Sequence, residues 1–153
     1  MTNLKKALEA VDKDVCRQFD NDGYVEMTWL CQTPERAVII PAPPGNVPKD
    51  VLVEAIKEVF QSLNVVRYVF VTESWSLALS PDDEPPAKVA GHPDAVETVT
   101  MTGEDLTTGE MLFRSRTIHR PADGPPYLGE PTDSDTSMSG GLFCNLLTKP
   151  TTH

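Results

Sequence analysis

The run Asn64–Ser80, NVVRYVFVTESWSLALS, constrains the fold more than any other stretch of the chain. In strand phase Val65, Val69, Val71, Trp75, Leu77 and Leu79 fall on one side with Arg67 and Glu73. Val66, Tyr68 and Phe70 occupy the other side, which then turns to Thr72, Ser74 and Ser76. Side chains alternate across a strand, so a segment apolar on both sides is covered on both faces, and one that keeps a single apolar side has lost one cover. The run therefore predicts a central strand whose second half is covered on one side only.

The rest of the chain supplies the elements such a strand needs. Leu4, Ala7, Leu8, Val11, Val15 and Phe19 recur at helical spacing and stop at Asp20-Asn21-Asp22-Gly23, a turn sequence, which predicts a first helix over residues 3–19. Tyr24–Gln32 alternates, and Arg36–Pro41 follows a Thr33-Pro34-Glu35 turn, so the two read as a hairpin. Pro48 suits a first helical turn, and Val51, Leu52, Ala55, Ile56, Val59, Phe60 and Leu63 form a wide apolar stripe behind it. Ala95–Thr102 and Glu110–Arg120 read as two further strands. A hairpin centred near Leu106 puts Val99 and Met101 with Met111 and Phe113, and Thr98 and Thr100 with Arg114 and Arg116. The expected fold is α+β, in the order α-β-β-α-β-β-β, with an antiparallel or mixed sheet of about five strands and two helices packed on it. Roadblock and profilin-like scaffolds are similar in element order, which speaks to shape and carries no function.

Residues 1–120 read as one domain, and 121–153 as a Pro, Ser, Thr and Gly-rich tail with an apolar anchor over 142–147, expected to dock on this domain or on a second subunit. The 80–94 connection, with Pro81, Asp82, Asp83, Glu84, Pro85 and Pro86, is long for a compact domain and reads as a mobile candidate binding loop. Three widely spaced cysteines, Cys16, Cys31 and Cys144, suit reduced thiols in a cytoplasm better than a disulfide framework. The charged N-terminus has no continuous apolar run of the signal-peptide kind, and no stretch approaches the ~20 apolar residues of a membrane helix. The formal net charge of −10 argues against direct binding to a nucleic-acid backbone, which depends on clustered Lys and Arg.

Glu73 is the first candidate for chemistry, because a carboxylate in phase with Val69, Val71 and Trp75 is partly desolvated and needs a partner. Arg67, Arg114 and Arg116 are the partners expected for it. Arg114, Arg116 and Arg120 share a strand face that offers either an anion site or internal ion pairs, and His119 closes that strand. Glu73, Arg114, Arg116 and His119 are thus the residues on which an active site would be built. His92, His119 and His153 show no close metal-ligand pair, and phosphate-loop, dinucleotide and serine-nucleophile signatures are missing, so neither metal nor cofactor is expected.

Phe70-Val71-Thr72-Glu73-Ser74-Trp75, then His92-Pro93-Asp94, then the Val96–Asp105 block VETVTMTGED resemble a group of small, uncharacterised bacterial and phage proteins. The resemblance covers the middle third of the chain and implies an origin, not an activity. The expectation from the whole sequence is a small acidic cytoplasmic interaction or assembly protein, binding a protein partner or its own copies. The alternatives are an enzyme or small-ligand binder centred on Glu73 and the strand arginines, and an acidic mimic of nucleic acid.

Overall fold

In the computed structural model the described residues are 3–45, 47–76 and 93–134. Their order is α1 (Leu4–Asp22), β1 (Thr28–Gln32), β2 (Ala37–Pro41), α2 (Lys49–Leu63), β3 (Arg67–Ser76), β4 (Val96–Asp105), β5 (Met111–His119), β6 (Tyr127–Leu128) and β7 (Thr132–Ser134). The strands form one antiparallel seven-stranded sheet in the order β2-β1-β3-β4-β5-β6, with β7 also pairing on β5. This is the expected α+β architecture with two more strands. Both additions lie in the segment read as tail, and residues 127–134 bind the outer side of β5.

The two helices lie on opposite faces of the sheet. Leu8, Val11, Val15 and Phe19 of α1 bury against Val69, Val71, Val99 and Met101. Leu52, Val53, Ile56 and Phe60 of α2 bury against Trp29, Cys31, Tyr68 and Phe70. Alternation along β3 delivers one set of side chains to each helix, so its first five residues are all buried. From Thr72 to Ser76 burial falls to partial, and Trp75, expected on the side that stays covered, is instead 47% exposed.

Local chemistry sets the ends of the elements. The Asn3 side chain accepts the Lys6 N–H at 2.9 Å at the start of α1, and Gly23 closes the helix in the left-handed region with φ 77°. Asn64 does the same for α2 at φ 56°. Gly103 has another role: a Cβ there would lie 2.9 Å from Leu4 Cδ1, so its bare backbone lets the first turn of α1 settle on β4.

The β4–β5 pairing differs from the expected one in phase. Val99 lies opposite Arg116 and Met101 opposite Arg114, while Thr100 faces Ser115 and Thr102 faces Phe113. The hairpin closes around Leu106–Gly109, with Gly109 at φ 74° and its N–H donated to Asp105 O at 2.8 Å. Its centre falls between Thr107 and Thr108. An odd shift of register carries every side chain of β5 to the other face, so Arg114 and Arg116 point toward α1 and away from Thr98 and Thr100. The Asp105 side chain fixes the turn by accepting the Thr107 N–H at 2.8 Å, a local bond that the apolar pattern does not report. Most of the 80–94 connection, the 142–147 anchor, Cys144, His92 and His153 lie outside the described residues.

Candidate functional site

The arginines proposed for chemistry are held by aspartates. Arg116 grips Asp12 of α1 with Nε to Oδ1 and Nη2 to Oδ2, both at 2.7 Å, and donates Nη1 to the Gly129 carbonyl at 2.8 Å. Arg114 donates Nη1 to Asp12 Oδ2 at 3.1 Å and grips Asp133 of β7 at 2.6 and 2.9 Å. Each guanidinium nitrogen of both residues donates to a named acceptor, so neither fork is open to an anion. Burial pushes the Asp12 carboxyl upward in pKa, but Arg116 and Arg114 outweigh it and hold it below the usual 3.8. Arg114 likewise lowers Asp133. The cluster joins α1, β5 and β7.

Asp12 is the residue that sequence reasoning passed over. It lies four residues after Leu8 and three before Val15, on the buried stripe of α1, and is 6% exposed. An acid on an apolar helical stripe is the signal of a buried cationic partner, and it selects Arg114 and Arg116.

Glu73 does not meet the arginines expected for it. It is partly buried, and its Oε1 accepts the Val25 N–H at 3.0 Å, tying the segment after α1 to β3. Arg67 instead donates to Asp105 at 2.9 Å and to Gln32 at 2.6 Å. Arg67 thus links Gln32 of β1 to the buried Asp105 Oδ2 of β4, while Asp105 Oδ1 accepts from the turn at Thr107. Arg120 pairs with Glu97 through two bonds at the surface, which raise its pKa with a smaller contribution from the Glu73 charge. His119 is exposed and stacks on Tyr127 at 4.9 Å between ring centroids. Of the candidate catalytic residues, Arg114 and Arg116 therefore meet on Asp12, whereas Glu73 and His119 lie in separate contacts. Among the described residues no group of three or more His, Cys, Asp or Glu is arranged to hold a metal ion.

What the fold leaves open is a groove on the α1 face. Since α1 sits over β3, β4 and β5, the outer strands β1 and β2 have no helix on that face among the described residues. An open groove of about 560 Å³ runs there between α1 and the sheet, floored by Val11, Val15, Val25, Leu30, Ile39 and Val71. A second, of about 400 Å³, shares Val11 and Leu30 and continues past Gln32 and Arg67. Ile39 is 67% exposed, the most exposed large apolar side chain among the described residues. On the opposite layer Val51 and Val59, two of the seven residues in the stripe that predicted α2, are also exposed.

Backbone pairing shows how β2 borders this groove. The Arg36 carbonyl accepts from Thr33 N, and Ala42 N donates to Met27 O, so even-numbered residues of β2 point their amide groups at β1. Ala37 and Ile39 direct theirs outward. Pro41 also falls on the outward side, where its missing N–H costs no bond to β1. Along 37–45, AVIIPAPPG, there is no charged residue. The sequence matches no family model, and no curated protein or solved structure is similar to it.

Proposed function

We propose that the protein works by binding, as an interaction or assembly protein of bacterial or phage type in the cytoplasm, and not by chemical turnover. The observation that carries this reading is the groove beside α1, with an apolar floor and a charged rim of Asp14, Arg17, Asp22 and Glu26, that ends at the exposed Ile39 beside an outward-facing strand edge. Large exposed apolar side chains next to unpaired strand groups favour another polypeptide, because main-chain bonds supply affinity while the apolar positions select the occupant. The pairing of Arg114 and Arg116 with Asp12 and Asp133 supports it further, since those guanidiniums already serve the interior. No helix among the described residues is long and apolar enough to cross a membrane.

The test is position-specific photocrosslinking in the native host. A photoreactive residue at Ile39 or at Gln18, on the groove wall, should give a discrete protein adduct, whereas the same group at Glu54 of α2 should not. Ile39→Lys combined with the Gln18 probe should abolish the adduct. Equal labelling from all positions, or none from the groove, overturns the reading.

A further inference from the structure

We infer that the smaller of the two grooves holds a carboxylate, bound by Arg67 and Gln32, with the apolar body of the ligand lying along Val11, Leu30 and Val69. The inference rests on the interaction reading, whose groove it adjoins, and names the chemical group by which an occupant is gripped. Arg114 and Arg116 commit every guanidinium nitrogen to the protein, and Arg67 does not. Its Nε donates to Asp105 Oδ2 at 2.9 Å and its Nη1 to Gln32 Oε1 at 2.6 Å, while Nη2 has no acceptor among the described residues. Arg67 is 8% exposed, yet Nη2 is not sealed from solvent, so it meets water in the groove that Arg67 lines.

Gln32 extends the same deficit. An arginine only donates, so the Gln32 amide turns Oε1 to it, which leaves the two Nε2 N–H groups without an acceptor among the described residues. Two bonded neighbours therefore present donors alone at the polar end of a groove of about 400 Å³.

Donors without acceptors select an anion, and the charge already present selects a weak one. Asp105 offsets the Arg67 charge, Glu35 also lines the groove, and the chain carries a net −10, so a dianionic phosphate meets more repulsion than a carboxylate with a single charge. A carboxylate accepts from Arg67 Nη2 with one oxygen and from Gln32 Nε2 with the other, and both bonds are charge-assisted, where water offers a neutral acceptor. The apolar part of the lining then sets the rest of the ligand. Val11 and Leu30 also floor the larger groove that reaches Ile39, so an occupant gripped at Arg67 extends its apolar body along α1. A small apolar acid and the C-terminal residue of a polypeptide share this chemistry.

NMR titration of the isotope-labelled full chain tests the site. Sodium hexanoate should give saturable shifts at the Gln32 side-chain amide and the Leu30 N–H, and hexanamide, of the same shape without the charge, should bind at least about tenfold more weakly. Gln32→Glu puts an acceptor where the Nε2 donor stood. It should lose hexanoate binding by a similar factor and melt no lower than the wild type, because the new carboxylate faces Arg67. Inorganic phosphate at equal concentration should not displace hexanoate. The absence of saturable shifts, equal binding of acid and amide, hexanoate binding unchanged by Gln32→Glu, or displacement by phosphate each overturns the carboxylate site. N-acetyl-leucyl-leucine separates the two sources: tighter binding than hexanoate marks a polypeptide end, and equal or weaker binding marks a small acid. If hexanoate fails while the Gln18 probe still yields its protein adduct, the interaction reading stands without this grip. Hexanoate binding with no adduct removes the polypeptide and leaves a small acid as the occupant.

Discussion

At the scale of the residue, the energetics concentrate in charges that the core holds. Asp12 is shared by two arginines at 6% exposure, and removing one partner of a buried pair leaves uncompensated charge behind. Asp12→Asn should therefore destabilise the fold by about 3–5 kcal/mol in urea denaturation. The pH dependence has a definite sign. Because the folded carboxyl lies below the ordinary 3.8, its contribution is present above that value and is lost as pH falls through the folded pKa. The stability of Asp12→Asn should accordingly fall less steeply below about pH 4 than that of the wild type. Glu73 is a gentler case. Glu73→Ala should cost about 1–3 kcal/mol by orphaning the Val25 N–H, and Glu73→Gln much less, because the amide oxygen still accepts. Equal losses for the two would mean that charge matters there and not the acceptor. Glu73 was legible as a partly desolvated carboxylate, but its partner is a backbone amide, and amides carry no sequence signature.

At the scale of the element, periodicity located both helices and the five longer strands, because α1, α2 and β3 each bury a patterned face. It missed the phase of β5. Apolar spacing alone admits Met111 and Phe113 on either side, and the register is decided by the turn, where Asp105 and Gly109 close the loop. Gly109→Ala tests that account. At φ 74° with nothing near its Cβ position, the substitution meets backbone strain and no clash, so it should cost about 1–2 kcal/mol while leaving the Arg114 and Arg116 pairs in place. A larger loss, or a changed register by NMR cross-strand contacts, would show the loop to be more than a hinge for the hairpin. Strands β6 and β7 were illegible for a different reason: two and three residues long, they are too short for any period, and bonds to β5 hold them.

At the scale of the molecule, the segment after β5 belongs to the charge cluster. A chain ending at Ser134 keeps Asp133 and the Gly129 carbonyl on the arginines, and one ending at Arg120 loses both. The shorter chain should melt lower than the longer by roughly 4–8 °C, corresponding to about 2 kcal/mol for a domain of this size, in scanning calorimetry. Equal melting would make β6 and β7 ornamental to stability. Across the thickness of the sheet, Cys31 offers a different use. Its thiol lies under α2 at 4% exposure, and burial pushes its pKa up to about 12. An alkylating reagent at neutral pH thus waits for the helix to lift before it finds a reactive sulfur, and the labelling rate becomes a stopwatch for that opening. Against partly exposed Cys16, Cys31 should label roughly 10³-fold more slowly by peptide mass spectrometry, and strong binding of any occupant that stiffens this layer should lengthen the wait.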